Sequence, residues 1–311
     1  MSEYLDYDVV IVGAGPGGLC AGLYTARANR KVVCLEKYLT GGQIAKTGDV
    51  EDYLGFDRIN GAELAMKFTE HAKSFGLEIH SEEVKEVHND GKYKIIETAS
   101  GKKYRARAVI LSTGGSPVLL GVPGEKEYAN RGVSYCAICD GAFFKNQVIV
   151  VVGGGDAAVE EGTFLTKFAS KVYIIHRRDE LRAAKIIQQR AFANDKVEFV
   201  YDTIVEEIGG DGNKVSHVNI KNVKTGEKSK IECGAVFPYL GFVPNSKVTR
   251  ENIRTDKGGY IITDEKMETS IKGIFACGDV RAQLVRQVTN AVGDGTTAAV
   301  AAEKYLEELE D

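Results

Sequence analysis

The chain has 311 residues, 43% of them hydrophobic and 27% charged, enough for two globular domains of ordinary size. A net charge of −4 argues against nucleic acid as a partner, and no apolar run approaches the roughly 18 residues of a membrane helix. The start, Met1-Ser2-Glu3-Tyr4-Leu5-Asp6, lacks the basic and apolar regions of a signal peptide, so the expected location is the reducing cytoplasm.

Asp8 to Val12 is a short apolar run that reads as a buried parallel strand. Gly13-Ala14-Gly15-Pro16-Gly17-Gly18 follows, then a helical pattern from Leu19 to about Asn29 and a second strand, Lys31 to Leu35, ending at Glu36. This is a dinucleotide fingerprint in strand–loop–helix–strand context, and an ordinary glycine turn is the competing reading. Gly13 permits the tight turn, Gly15 lets the backbone reach a pyrophosphate, and Gly18 allows close helix–strand packing. The helix N-terminus faces the phosphates, and Glu36 is placed to bond ribose hydroxyls.

Gly41-Gly42-Gln43-Ile44 is a glycine turn suited to lie along a cofactor ring. Glu63 to Phe75 predicts an amphipathic helix, and Glu82 to Thr98 alternating strands about a turn at Asn89-Asp90-Gly91. Val109 to Leu111 predicts a strand running into the glycine-rich crossing Ser112 to Pro117, with Gly121-Val122-Pro123-Gly124 completing the loop.

Two of the six cysteines then stand as Cys136-Ala137-Ile138-Cys139, with Asp140 directly after. That spacing closes into a small disulfide loop and lowers the thiol pKa, so the pair can cycle between dithiol and disulfide near neutral pH. Asp140 is placed to give or take the proton that exchange needs. Half of a zinc site is the alternative, but Cys20, Cys34, Cys233 and Cys277 are scattered singly. Phe143 and Phe144 offer either an apolar contact to a partner or core.

The first unit then recurs. Gln147 to Val152 is a strand, followed by Gly153-Gly154-Gly155-Asp156-Ala157-Ala158, a helix to about Phe168 and the strand Lys171 to Ile175. Gly153, Gly155, Ala158 and His176 repeat Gly13, Gly15, Gly18 and Glu36 at a constant offset of 140 residues. Two such units imply two nucleotides. Glu36 suits a free ribose diol, whereas His176 is followed by Arg177, Arg178 and Arg182, cations that suit the 2′-phosphate of NADP. A solvated basic helix start is the competing reading there. The first unit is therefore expected to hold FAD or NAD, and the second NADP.

Val197 to Ile208 and Val215 to Val223 predict strands about the turn Gly209 to Gly212, and Ala235 to Asn245 a second crossing. Gly273 to Asp279 is a strand ending in Gly-Asp, followed by Arg286-Gln287 and a helix from about Gln287 to Leu306. Asp279 is placed either to bond a ribityl hydroxyl or to cap a helix.

Taken in order, Gly13 to Gly18, Gly41-Gly42-Gln43, Thr113-Gly114, Cys136 to Gly141, His176-Arg177-Arg178 with Arg182, and Gly278-Asp279 resemble the low-molecular-weight thioredoxin reductases of bacterial and archaeal type. The resemblance covers essentially the whole chain. It implies an α/β fold of two Rossmann-like, three-layer dinucleotide-binding domains, with the NADPH domain inserted into a split FAD domain. The FAD domain would comprise residues 1–115 and 245–311, and the NADPH domain residues 116–244, carrying Cys136 and Cys139. It further implies a homodimeric, cytoplasmic flavoprotein passing electrons from NADPH to FAD, to the Cys136–Cys139 disulfide, and to thioredoxin or a thioredoxin-like protein. A related flavin disulfide reductase acting on another such partner, a peroxidase or a small disulfide is the alternative.

By the same resemblance the flavin site falls on Gly13, Gly15, Pro16, Gly18, Glu36, Gly42, Gln43, Thr47, Thr113, Gly114, Asp279, Arg286 and Gln287. The NADPH site falls on Gly153, Gly155, Ala158, His176, Arg177, Arg178 and Arg182, and no metal is implied. Cys139 would be the flavin-side sulfur, Cys136 the sulfur that exchanges with the partner, and Asp140 the acid/base. The inserted domain would swing about Gly115 to Pro117 and Tyr239 to Asn245. Two positions depart from the family's pattern: Asp52 stands where an Asn amide is usual, and Ala157 where Ser or Thr is common.

Overall fold

The computed structural model describes residues 4–47 and 49–310, with the Cys139 side chain outside the described part. The chain forms two compact units. Residues up to Ser116 and from Val243 make the first, and Pro117–Phe242 the second.

In the first unit the strand Leu5–Val12 lies at the centre of a seven-stranded sheet, parallel to Val32–Glu36 on one side and Lys103–Leu111 on the other. Val9 to Val12 are at most 5% exposed, so this apolar run is covered on both faces, as a central parallel strand requires. Lys103–Leu111 divides its outer edge. Its first half pairs antiparallel with Tyr93–Thr98, which pairs in turn with Val84–Asp90, and its last three residues pair with Ile274–Ala276. Glu78–Ser81 closes the far edge on Val32–Glu36.

Helix α1 (Pro16–Arg27) follows the first strand, and α2 (Gly61–Ser74) starts from Asn60, whose side chain accepts the Ala62 N–H at 3.0 Å. In the second unit the chain runs through a four-residue helix α3 (Ala137–Asp140), the strand Val148–Val152, helix α4 (Asp156–Leu165), the strand Lys171–Ile175 and helix α5 (Lys185–Phe192). Four strands form a parallel sheet in the order Val197–Val200, Lys171–Ile175, Val148–Val152, Ala235–Pro238. One face packs on α4 through Val159 and Leu165; the other meets an antiparallel sheet of Thr203–Gly210, Val215–Asn222 and Lys228–Glu232. That makes three layers. The chain then returns to the first unit for the 23-residue helix α6 (Val288–Glu310), which lies along α1 over the sheet.

The run from Val197 to Ile208 is not one strand. It breaks at Tyr201-Asp202, where Asp202 adopts φ +50°, so its two halves serve different sheets. The edge strand Lys228–Glu232 was also absent from the sequence reading. Its exposed Lys-Ser-Lys pattern is what an unpaired sheet edge carries, and it is hard to tell from a loop.

Candidate active site

The first glycine loop is fixed by close packing. Gly13 sits at φ +101°, and a Cβ there would lie 2.3 Å from the Ser112 carbonyl oxygen. A Cβ on Gly18 would lie 1.9 Å from the Gly13 oxygen. Between them Gly15 has nothing within 4 Å of its Cβ direction, so the loop is tight at both ends and open in the middle. Helix α1 begins there with Pro16 in its first turn and no side-chain cap, which leaves the N–H groups of its first turn free for an anion. The Gly41-Gly42 turn folds onto this loop: the Gly41 N–H donates to the Ala14 carbonyl at 2.7 Å, and a Cβ on Gly42 would reach the Gly15 Cα at 3.1 Å.

Glu36 closes the same loop. Its Oε2 accepts the Ala14 N–H and its Oε1 the Tyr38 N–H, both at 2.8 Å, leaving lone pairs for a diol. Gln43 reaches the Gly115 carbonyl at 3.3 Å, and the Thr47 hydroxyl donates to the Gln43 carbonyl at 3.0 Å. Thr113 is committed elsewhere. Its hydroxyl donates to the Asn245 carbonyl at 2.7 Å, while the Asn245 amide returns a bond to the Thr113 carbonyl at 2.9 Å. The Ser116 hydroxyl donates to Asn245 Oδ1 at 2.8 Å, so Asn245 ties both ends of the first unit where the chain leaves and re-enters it.

The N-termini of α1 and α6 converge beside the Gly278-Asp279 turn, because Gly17 and Gly295 let the two helices approach: a Cβ on Gly295 would lie 2.2 Å from the Gly17 oxygen. Asp279 does not cap a helix. It lies in a short 3₁₀ turn, and burial pushes its carboxyl up, with the Arg286 guanidinium opposing. A carboxylate desolvated in this way gains from hydroxyl donors. Arg286 stacks over the Tyr260 ring at 3.8 Å, and Gln287 is exposed at the start of α6. The turn is supported by a group that sequence reasoning missed. Asp294, 7% exposed, accepts the Gly278 N–H at 3.0 Å and an Arg281 N–H at 2.9 Å. An acid on the otherwise small, apolar face of α6 was the available signal.

The second glycine loop repeats the first. A Cβ on Gly153 would meet the Tyr239 carbonyl oxygen at 2.4 Å, Ala158 packs beneath, and Gly155 is again open. A Cβ on Gly154 would strike the His176 ring at 2.4 Å, so His176 packs directly under the loop. His176 is 6% exposed, and its Nε2 is enclosed without a partner. Burial holds its pKa below the ordinary value, and the Arg182, Arg178 and Arg177 charges push the same way. The imidazole is therefore neutral packing, while the three arginines are exposed beside it with no carboxylate paired to them among the described residues. The Arg182 N–H donates to the Gly154 carbonyl at 2.7 Å, which docks that segment on the loop.

In the same unit, Cys136 is disulfide-bonded, whereas Cys20, Cys34, Cys233 and Cys277 are buried free thiols. The Cys139 side chain lies outside the described residues; its backbone belongs to α3. The Asp140 N–H closes the turn on the Cys136 carbonyl at 3.2 Å. The Ala137 N–H, at the start of α3, donates to the Tyr239 hydroxyl at 3.0 Å. Tyr135 donates to Glu125 Oε1 at 2.7 Å, and Glu125 also accepts the Leu120 and Gly121 N–H groups. Phe144 packs edge-on against Phe237, while Phe143 is 76% exposed. Of the two positions departing from the family's pattern, Asp52 and Ala157, both are exposed.

Both glycine loops thus fit a dinucleotide by the same test, an open second glycine at an uncapped helix N-terminus. The chain is similar to known proteins over nearly its whole length. The family described as pyridine nucleotide-disulphide oxidoreductase matches residues 7–295. A thioredoxin reductase of Bacillus subtilis is 50% identical over 311 residues, covering 100% of this chain and 98% of its own. The crystal structure of Lactococcus lactis thioredoxin reductase aligns with a TM-score of 0.94 at 48% identity, covering 97% of this chain and 99% of that one. That of T. acidophilum thioredoxin reductase aligns with a TM-score of 0.92 at 36% identity, covering 98% and 99%.

Proposed function

This chain belongs to the pyridine nucleotide-disulphide oxidoreductase family, with its thioredoxin reductases, and on that premise we propose which of its residues carry the reaction. It is an enzyme that draws on NADPH, works through FAD and reduces the disulfide of thioredoxin. We assign FAD to the first unit and NADPH to the second. Gly15 and the N-terminus of α1 would hold the flavin nucleotide's pyrophosphate, with Glu36 and Asp279 on hydroxyls. Gly155 and α4 would hold the second pyrophosphate, and Arg177, Arg178 and Arg182 the 2′-phosphate. Bound there, FAD supplies the two-electron relay between a hydride source and a disulfide.

The remaining chemistry is the protein's own. Two electrons and one proton open the Cys136–Cys139 bond to one thiol and one thiolate. The Cys136 thiolate attacks the thioredoxin disulfide, and the departing thioredoxin thiolate takes the proton held on Asp140. The Cys139 thiol then gives its proton to Asp140 and displaces thioredoxin from Cys136, which restores the enzyme disulfide.

The observation that carries this assignment is that one compact unit holds both the arginine-flanked glycine loop and a disulfide-bonded Cys136 at the start of a helix. Homodimerisation and a cytoplasmic location belong to the proposal too. The first rests on the resemblance to the family; the second rests on that and on the four free thiols. NADPH-driven reduction of a bacterial thioredoxin by the purified, FAD-loaded protein tests the reading. Turnover is expected in the wild type and absent in Cys136→Ser; turnover retained in that variant would refute it.

A further inference from the structure

Ser134 stands two residues before Cys136 and is 5% exposed. Its backbone is pinned to the parallel sheet, with its N–H donating to the Val236 carbonyl at 3.1 Å. The side chain bridges the two ends of the redox turn. Oγ accepts the Cys136 N–H at 3.1 Å and donates to Asp140 Oδ2 at 2.5 Å. A hydroxyl has one proton and two lone pairs, so both bonds can form at once. Among the described residues, no other side chain donates to the Asp140 carboxylate. The same contact also survives a change of protonation: toward a carboxylate the serine donates, and toward a carboxylic acid its free lone pair accepts.

We propose that Ser134 is the positioning residue of the disulfide step, holding the Asp140 carboxyl group at the Cys136 end of the turn, where the proton is released and recovered. This rests on the reading of Asp140 as the acid/base. A hydroxyl is suited to the place because it serves both protonation states, and burial prevents water from replacing it. The competing account is that Ser134 only caps the Cys136 N–H and so supports the short helix.

A double-mutant cycle separates the two accounts. FAD-loaded wild type, Ser134→Ala, Ser134→Thr, Asp140→Asn and the Ser134→Ala/Asp140→Asn double variant are assayed with NADPH and a bacterial thioredoxin. Flavin content and thermal midpoint report whether each variant is folded. Loss of a hydrogen bond to a charged group predicts a roughly 10- to 100-fold fall in kcat for Ser134→Ala, with KM for NADPH unchanged. Ser134→Thr, which keeps the hydroxyl, is expected to recover most of that loss. In the Asp140→Asn background the alanine substitution should cost nothing further. The same fold-loss in both backgrounds would overturn the proposal in favour of the helix cap, and an unaffected Ser134→Ala would overturn it outright. Wild-type turnover by Asp140→Asn would instead reject Asp140 as the acid and remove the role assigned to Ser134 with it.

Discussion

Glu161 offers a test of how the redox unit is built, independent of turnover. It lies on α4, the helix that packs against α3, and its Oε2 is enclosed without a hydrogen-bond partner. Burial, helped by the neighbouring Glu160 carboxylate, pushes its carboxyl from 4.5 up to about 7. The folded chain therefore keeps a proton on Glu161 between about pH 4.5 and 7, where the unfolded chain has lost it. Stability then falls as pH rises through that window, and the full penalty stands above it. The size of the shift corresponds to about 3 kcal/mol. Glu161→Gln removes the titration while keeping the shape. Urea unfolding of both proteins at pH 5 and pH 8, without NADPH, gives the difference at each pH. We expect the glutamine variant to gain about 2.5 kcal/mol on wild type between the two, because part of the penalty is already present at pH 5, and roughly 1–2.5 M in urea midpoint. A difference that is the same at both pH values would show that Glu161 is already ionised in the fold and would refute the reasoning.

Arg177→Ala/Arg178→Ala should erase a preference for NADPH over NADH, since each charge-assisted contact to a phosphate contributes roughly 1.5–3 kcal/mol; kcat/KM for the two coenzymes measures it, and an unchanged ratio would place the 2′-phosphate elsewhere. Gly18→Ala should fail to fold or lose FAD, because its Cβ would lie 1.9 Å from the Gly13 oxygen. Gly15→Ala should keep the apoprotein's thermal midpoint and weaken FAD binding, because the space it fills is open until a nucleotide enters; equal FAD affinity would move the pyrophosphate away from Gly15. Asn245→Ala loses two side-chain hydrogen bonds and should cost about 1–3 kcal/mol in chemical denaturation; no change in midpoint would show that the backbone alone closes that junction.

What the sequence shows depends on how local the cause is. Gly13, Gly18 and Gly153 were legible because a turn and a close backbone approach admit almost nothing else, and that requirement lies within a few residues. Glu36 was legible as the acid ending a strand, though not as the group that also holds the Ala14 and Tyr38 N–H groups. Asn245 meets Thr113 across 132 positions, which no local pattern announces; Asp294 stands out as an acid on the small, apolar face of α6, but nothing local names Gly278 as its partner. Ser134 stands just before the redox motif, but a serine two residues ahead of a cysteine has no signature until the turn brings Asp140 back to it. The misread run at Val197 to Ile208 failed for the opposite reason. Its β-branched and aromatic residues satisfy strand propensity throughout, and only the left-handed Asp202 marks the change of sheet.

The central claim is that electrons leave this enzyme through the Cys136 sulfur. It is tested most directly by trapping the exchange on the FAD-loaded protein reduced with NADPH. Cys139→Ser should accumulate a covalent mixed disulfide with a thioredoxin variant that keeps only its attacked cysteine, presented as an activated mixed disulfide, because Cys136 attacks and no second thiol on either protein displaces the product, whereas Cys136→Ser should form none. A thioredoxin adduct on Cys136→Ser, with none on Cys139→Ser, would contradict the account.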